Sequence, residues 1–103
     1  MDSQLKKGVL EVCVLYAISK SESYGYKIIS DLQGIIEISE STLYPILKRL
    51  EAGGFLTTRT AEYGGRLRRY YKITPDGERK LFAGKTDLLE IITIHNKLFG
   101  GKL

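Results

Sequence analysis

The chain has 103 residues, 43% of them hydrophobic and 27% charged, with a formal net charge of +4 and a pI near 9.2. That is the balance of one soluble globular domain, long enough to bury about two-thirds of its unfolded surface. No apolar run approaches the ~20 residues of a membrane span, the N-terminus carries no signal-peptide pattern, and the single cysteine excludes an internal disulfide and fits a reducing cytoplasm.

A first helix is expected over Leu5–Ser19. Val9, Val12, Cys13 and Tyr16 make one stripe, and Leu10, Val14, Leu15 and Ile18 extend the apolar surface round much of the circumference. Such a helix is either deeply buried or serves two surfaces. Cys13, on an apolar face with no basic group near it in sequence, reads as buried and inert. Lys20–Tyr24 is a polar loop. A second, short helix follows over Gly25–Leu32, with Ile28, Ile29 and Leu32 inward and Gly25 allowing close approach to a neighbour. Gln33–Ile38 is the turn into a third helix, which Ser39 caps.

In the third helix Leu43, Ile46, Leu47 and Leu50 fall at i, i+3, i+4 and i+7, one apolar stripe. The opposite face carries Ser41, Tyr44, Pro45 and Lys48, flanked by Thr42 and Arg49. Pro45 deletes one backbone hydrogen bond near the helix start and frees the Ser41 carbonyl. Hydroxyls, an aromatic and cations without an acid suit a DNA major groove. Tyr44 is expected at phosphate or a base edge, Lys48 at phosphate or guanine, and Arg49, further round, at the backbone.

Gly53-Gly54 ends this helix. Phe55–Glu62 reads as a strand, Tyr63-Gly64-Gly65-Arg66 as a tight turn, and Leu67–Ile73 as the return strand. Tyr71 and Ile73 share the core face, leaving Tyr70 outward. Arg66 and Arg68, at the hairpin tip and its return, are candidates for the minor groove or its phosphates. Residues 44–72 hold seven Lys and Arg against Glu51 and Glu62, more positive charge than the whole chain nets. The cations therefore gather where helix and hairpin would meet a phosphate backbone. The Gly64-Gly65 pair is no phosphate-binding loop, since neither a Lys-Ser/Thr nor a helix follows.

Thr74-Pro75 opens a final helix that runs to about Leu98, roughly 36 Å and long for so small a domain. Leu81, Leu88, Ile92 and Phe99 form its central stripe, widened by Phe82 and Leu89 on one side and by Ile91, Ile94 and Leu98 on the other. One small core cannot cover that surface, so a second copy is expected there. His95 reads as an interface histidine, not a metal ligand. No cofactor is expected, and no catalytic constellation is suggested.

A helix followed by a basic hairpin is the order of a winged helix-turn-helix, giving a mostly α (α+β) fold with a long C-terminal dimerisation helix. Residues 1–74 would form the DNA-binding region and 75–103 the dimerisation helix. The segments Ser-Tyr-Gly-Tyr-Lys-Ile-Ile (23–29), Ser-Thr-Leu-Tyr-Pro-Ile-Leu-Lys-Arg-Leu-Glu (41–51) and Arg-Arg-Tyr-Tyr-Lys-Ile-Thr-Pro-Asp-Gly (68–77) resemble those of the PadR family of bacterial transcriptional regulators. The resemblance runs from about Leu5 to about Leu98. The single C-terminal helix is similar to that of the smaller subfamily, in which it pairs with the first helix of the partner. The resemblance implies a cytoplasmic, nucleoid-associated homodimer, bacterial or archaeal. It would bind double-stranded DNA at an inverted-repeat operator, act as a repressor, and be released by a small-molecule effector or another signal. The competing reading is a winged-helix protein-interaction module without DNA binding; such modules often lose the cations this chain keeps.

Overall fold

In a computed structural model, which describes residues 1–100, four helices surround a two-stranded hairpin. Helix α1 (Ser3–Ser19) begins two residues before the sequence expectation. The Asp2 side chain caps it, accepting from the backbone amides of Gln4 and Leu5, 3.1 Å each. Its Leu10, Val14, Leu15, Ala17 and Ile18 are buried, while Val12, Cys13 and Tyr16 turn to the opposite side. The helix thus serves two surfaces. Cys13 departs from the expectation of full burial: it is half-exposed in the wall of a groove, because that side of α1 has only α4 to cover it.

Helix α2 (Gly25–Leu32) sets Ile28 and Leu32 into the core, and α3 (Glu40–Ala52) adds Leu43, Ile46, Leu47 and Leu50, all at most 3% exposed. Ser39 Oγ accepts from the Thr42 amide at 3.3 Å and caps α3. The chain leaves α3 through Gly54, whose φ of +82° only glycine adopts readily.

Strands β1 (Leu56–Tyr63) and β2 (Arg66–Ile73) pair antiparallel, from Leu56↔Ile73 to Tyr63↔Arg66. Gly64 and Gly65 make the two-residue turn with φ of +57° and +79°. That pattern is what a tight I′ hairpin turn requires. Ser23, in the loop before α2, exchanges both backbone hydrogen bonds with Tyr71, at 3.0 and 2.7 Å. The hairpin thereby gains a third, one-residue strand, and the loop is fixed to the wing.

Helix α4 (Pro75–Phe99) is capped by Thr74, whose Oγ1 accepts from the Gly77 amide at 3.0 Å and donates to the Gly54 carbonyl at 2.7 Å. Two glycines pin it. Gly77 lies against the Phe55 carbonyl and Ile73, and Gly84 against Val12 of α1. Past Leu88 it buries nothing: Leu89, Ile91, Ile92, Ile94, Leu98 and Phe99 are all exposed. The helix projects as an arm. The radius of gyration is 15.1 Å, against about 13 Å for a compact chain of this length. The last three residues of the expected 75–103 region lie outside the described residues.

No side chain fits at Gly77 without moving the Phe55 backbone. Overpacking of that kind costs about 1–3 kcal/mol, more than the ~1 kcal/mol alanine gains in helix propensity. Gly77→Ala is expected to lower the melting temperature by about 4–8 °C per net kcal/mol of destabilisation, read by circular dichroism. An equal or higher melting temperature would contradict the close approach.

Candidate nucleic-acid interface

The outer face of α3 is built by the helix period. Ser41, Thr42, Tyr44, Pro45 and Lys48 are exposed there, opposite the buried leucine and isoleucine stripe. Ser41 and Thr42 do not stand alone: Ser39 Oγ lies 3.0 Å from Ser41 Oγ and 3.1 Å from Thr42 Oγ1, a hydroxyl cluster at the helix start. Lys48 has no carboxylate partner among the described residues.

Tyr44 is 45% exposed but does not point straight into solvent. Its ring lies across to α2, with the hydroxyl against Gly25. A side chain at Gly25 would displace it, which is the close approach Gly25 serves. Tyr44 also neighbours buried Tyr71, whose hydroxyl pKa is raised above its ordinary value, first by burial and then opposed by Arg69. Tyr44 is thus both a packing contact and a surface group.

Arg49 sits apart from the rest of the face. Its guanidinium reaches Glu11 of α1 at 3.4 Å, and Glu11 also lies 3.7 Å from Lys80 of α4. Helical spacing alone put Arg49 beside Lys48. A carboxylate 38 residues away in sequence turns it toward α1 instead.

The wing carries its cations in two ways. Arg59 is held by Glu22, Nε to Oε2 at 2.8 Å and the terminal nitrogen to Oε1 at 2.6 Å, and lies 4.6 Å over Tyr70. That pairing lowers the Glu22 pKa and raises that of Arg59. Tyr70 meets Tyr24 edge-to-face at 5.7 Å, so it is covered by the loop before α2 and only half-buried, while Tyr71 is buried. Arg66 is exposed at the tip. Arg68 lies over the rings of both Tyr24 and Tyr63, at 3.9 and 4.1 Å.

Between α2, α3 and the wing runs a groove of about 420 Å³, walled by Tyr24, Tyr26, Tyr44, Tyr63 and the arginines 66, 68 and 69. Tyr44, Arg66 and Arg68 thus share one concavity; Ser41, Thr42 and Lys48 lie on the outer face of α3, and Arg49 stands off. Tyr24, Tyr63 and Arg69 carry no sequence signal that marks them as site residues. The hairpin register, once fixed by the Gly-Gly turn, does put Tyr63 and Arg68 on one face. Nothing local brings Tyr24 there.

Far from this face, the α1–α4 side presents a second groove of about 620 Å³, lined by Val12, Cys13, Tyr16, Leu32, Ile35, Leu81, Phe82 and Leu88 among others. Burial raises the Cys13 thiol pKa. Leu81 and Leu88 are half-buried, whereas Leu89, Ile92 and Phe99 are exposed along the arm. His95 is exposed beside Phe99, at 5.3 Å. No group of three or more potential metal ligands occurs among the described residues.

Comparison with known proteins is consistent along the chain. Residues 14–83 match the Transcriptional regulator PadR-like family. Transcriptional regulator Rv3488 of Mycobacterium tuberculosis is 30% identical over 89 residues, 85% of this chain and 83% of that protein. The crystal structure of smu.1704 from Streptococcus mutans UA159 is 42% identical, with a TM-score of 0.78 over 91% of this chain and 90% of that one. Bacillus subtilis PadR, solved in complex with operator DNA, is 31% identical with a TM-score of 0.68 over 73% of this chain and 45% of the PadR chain. From its helix order, its wing and these relatives together, the chain belongs to the PadR-like family of transcriptional regulators, which are not enzymes.

Proposed function

We propose that this regulator binds double-stranded DNA as a homodimer, with α3 in the major groove and the wing on the flanking backbone. The observation that carries this is which cations are paired. Of the seven in residues 44–72, only Arg49 and Arg59 are in ion pairs; Lys48, Arg66, Arg68, Arg69 and Lys72 have no carboxylate within ion-pair distance among the described residues. Unneutralised charge beside donors and a groove is the requirement of a phosphate ligand, and it disfavours a pure protein-interaction module. The operator complex of the Bacillus subtilis relative supports the same reading.

In this reading residues 1–74 are the DNA-binding region and 75–103 the pairing helix. Two copies joined through their arms would set two α3 helices about 34 Å apart, one turn of duplex, and so select an inverted repeat. The exposed arm and the apolar groove against α1 support a second copy as their occupant, the partner's arm lying on that groove. A protein seated on a promoter excludes other proteins from it, hence a repressor acting in the cytoplasm at the nucleoid. An apolar effector molecule entering the α1–α4 groove would release it.

Tyr44→Phe combined with Lys48→Ala is expected to weaken binding to the region upstream of the chain's own gene by at least about tenfold. A single base contact is worth about 1–3 kcal/mol, and about 1.4 kcal/mol is a factor of ten. The melting temperature should hardly change, since Lys48 is exposed and Tyr44→Phe keeps the ring that packs against α2. Fluorescence anisotropy is the measurement; unchanged affinity would mean that α3 does not enter the groove.

Ile92 and Leu98 are exposed on the arm, so Ile92→Asp with Leu98→Asp should leave each subunit folded while removing about 1.5–3 kcal/mol of burial per site. Sedimentation should find the native chain dimeric at micromolar concentration and the variant monomeric. A monomeric native chain would overturn the dimer.

A further inference from the structure

The two wing arginines nearest the loop before α2 are restrained in different ways. Arg59 is neutralised by Glu22. Arg68 has no carboxylate partner among the described residues, and its guanidinium is flanked by two aromatic rings, Tyr24 from the loop and Tyr63 from the end of β1. The hairpin register brings Tyr63 and Arg68 together, because Tyr63↔Arg66 and Ala61↔Arg68 are successive pairs on one face of the sheet. The Ser23–Tyr71 backbone bridge brings Tyr24 to the same spot. Tyr24 is in turn braced edge-on by Tyr70.

A guanidinium is planar, and its five N–H donors lie in that plane. Rings stacked on it leave the rim uncovered. The rim is the part that grips a phosphate with two parallel hydrogen bonds. A flanked arginine also has less side-chain freedom to surrender when it binds. Tyr63 and Arg68 both line the groove between α2 and the wing, with Arg66 and Arg69 as neighbours.

We propose that Tyr24 and Tyr63 are positioning residues for DNA: they hold Arg68 as a preformed phosphate-gripping edge, aimed at the duplex backbone beside the α3 site. The inference rests on the DNA-binding reading above. It makes the grip specific for arginine, because a lysine at this position keeps the charge but has no planar rim to stack or to offer.

The test uses the full chain, a fluorescent duplex from upstream of its own gene, and a mixed-sequence duplex of the same length. Arg68→Lys should bind both about tenfold more weakly, close to Arg68→Ala. The slope of log affinity against log salt should become shallower by about 0.9 for each phosphate no longer neutralised. Tyr63→Leu and Tyr24→Leu, which leave every charge in place, should each weaken both duplexes about fivefold, and Tyr63→Phe and Tyr24→Phe should bind within about twofold of the native chain. A ring that only stabilised the hairpin would change the melting temperature and leave the salt slope alone. Tyr63 is 61% exposed, so its variants keep the test open if Tyr24→Leu fails to fold. Native-like binding by Arg68→Lys or Tyr63→Leu overturns the clamp alone. A native chain that binds neither duplex overturns the DNA reading and the clamp with it.

Discussion

From Val9 to Ile18, helix α1 is apolar on two opposite sides and needs cover on both. Its buried residues, from Leu10 to Ile18, face α2, α3 and β2, and its Val12, Cys13 and Tyr16 face the other way. Helices α2, α3 and α4 and strand β2 take their places by covering part of that surface. With α2, α3 and the wing on one side, one long helix remains for the other. Gly84 lets α4 approach Val12 closely, but α4 covers only a strip and leaves an apolar groove beside it. The same constraint therefore fixes the stance of the α3–wing face and leaves the opposite side unfinished.

Much of this is legible in the sequence, because much of it is local. The Leu43, Ile46, Leu47, Leu50 stripe determines which side of α3 is buried. The Gly64-Gly65 pair sets the turn, and the turn sets the register. Thr74-Pro75 marks the start of α4. The early start of α1 is also local: Asp2 is an ordinary N-cap residue, and its signal is masked by the charged, apolar-poor stretch that follows it. The illegible features are contacts between distant segments. Arg49 follows Glu11, 38 residues away. Tyr24 meets Arg68 across a backbone bridge that no pattern announces. Cys13 is half-exposed for want of chain to cover it.

Two carboxylates beside the wing are engaged: Glu22 pairs with Arg59, and Glu51 accepts a hydrogen bond from Thr58 at 2.9 Å, while Glu62 is exposed on β1. What faces outward is largely cationic or hydroxylic. A count of charges along the sequence finds the surplus but not these pairings, which exist only in the folded chain. The rings do related work. Tyr70 and Tyr24 meet edge to face and join the Arg59 and Arg68 stacks into one row.

Helix α4 is one unbroken rod, held against the rest of the chain from Gly77 to Leu88 and exposed beyond. From Leu88 to Phe99 it extends roughly 16 Å at about 1.5 Å per residue. A rod held at one end multiplies angle into distance: a tilt of about 10° sweeps the tip by about 3 Å over that length. In two copies paired as proposed, each arm lying on the partner's α1–α4 groove, the gearing runs in reverse. A few ångströms of slip where the two arms meet become a rotation of each α3 helix, and one helical turn of duplex tolerates little rotation. Control of a pair built in the proposed way would need no refolding, only a small wedge placed far from the nucleic acid.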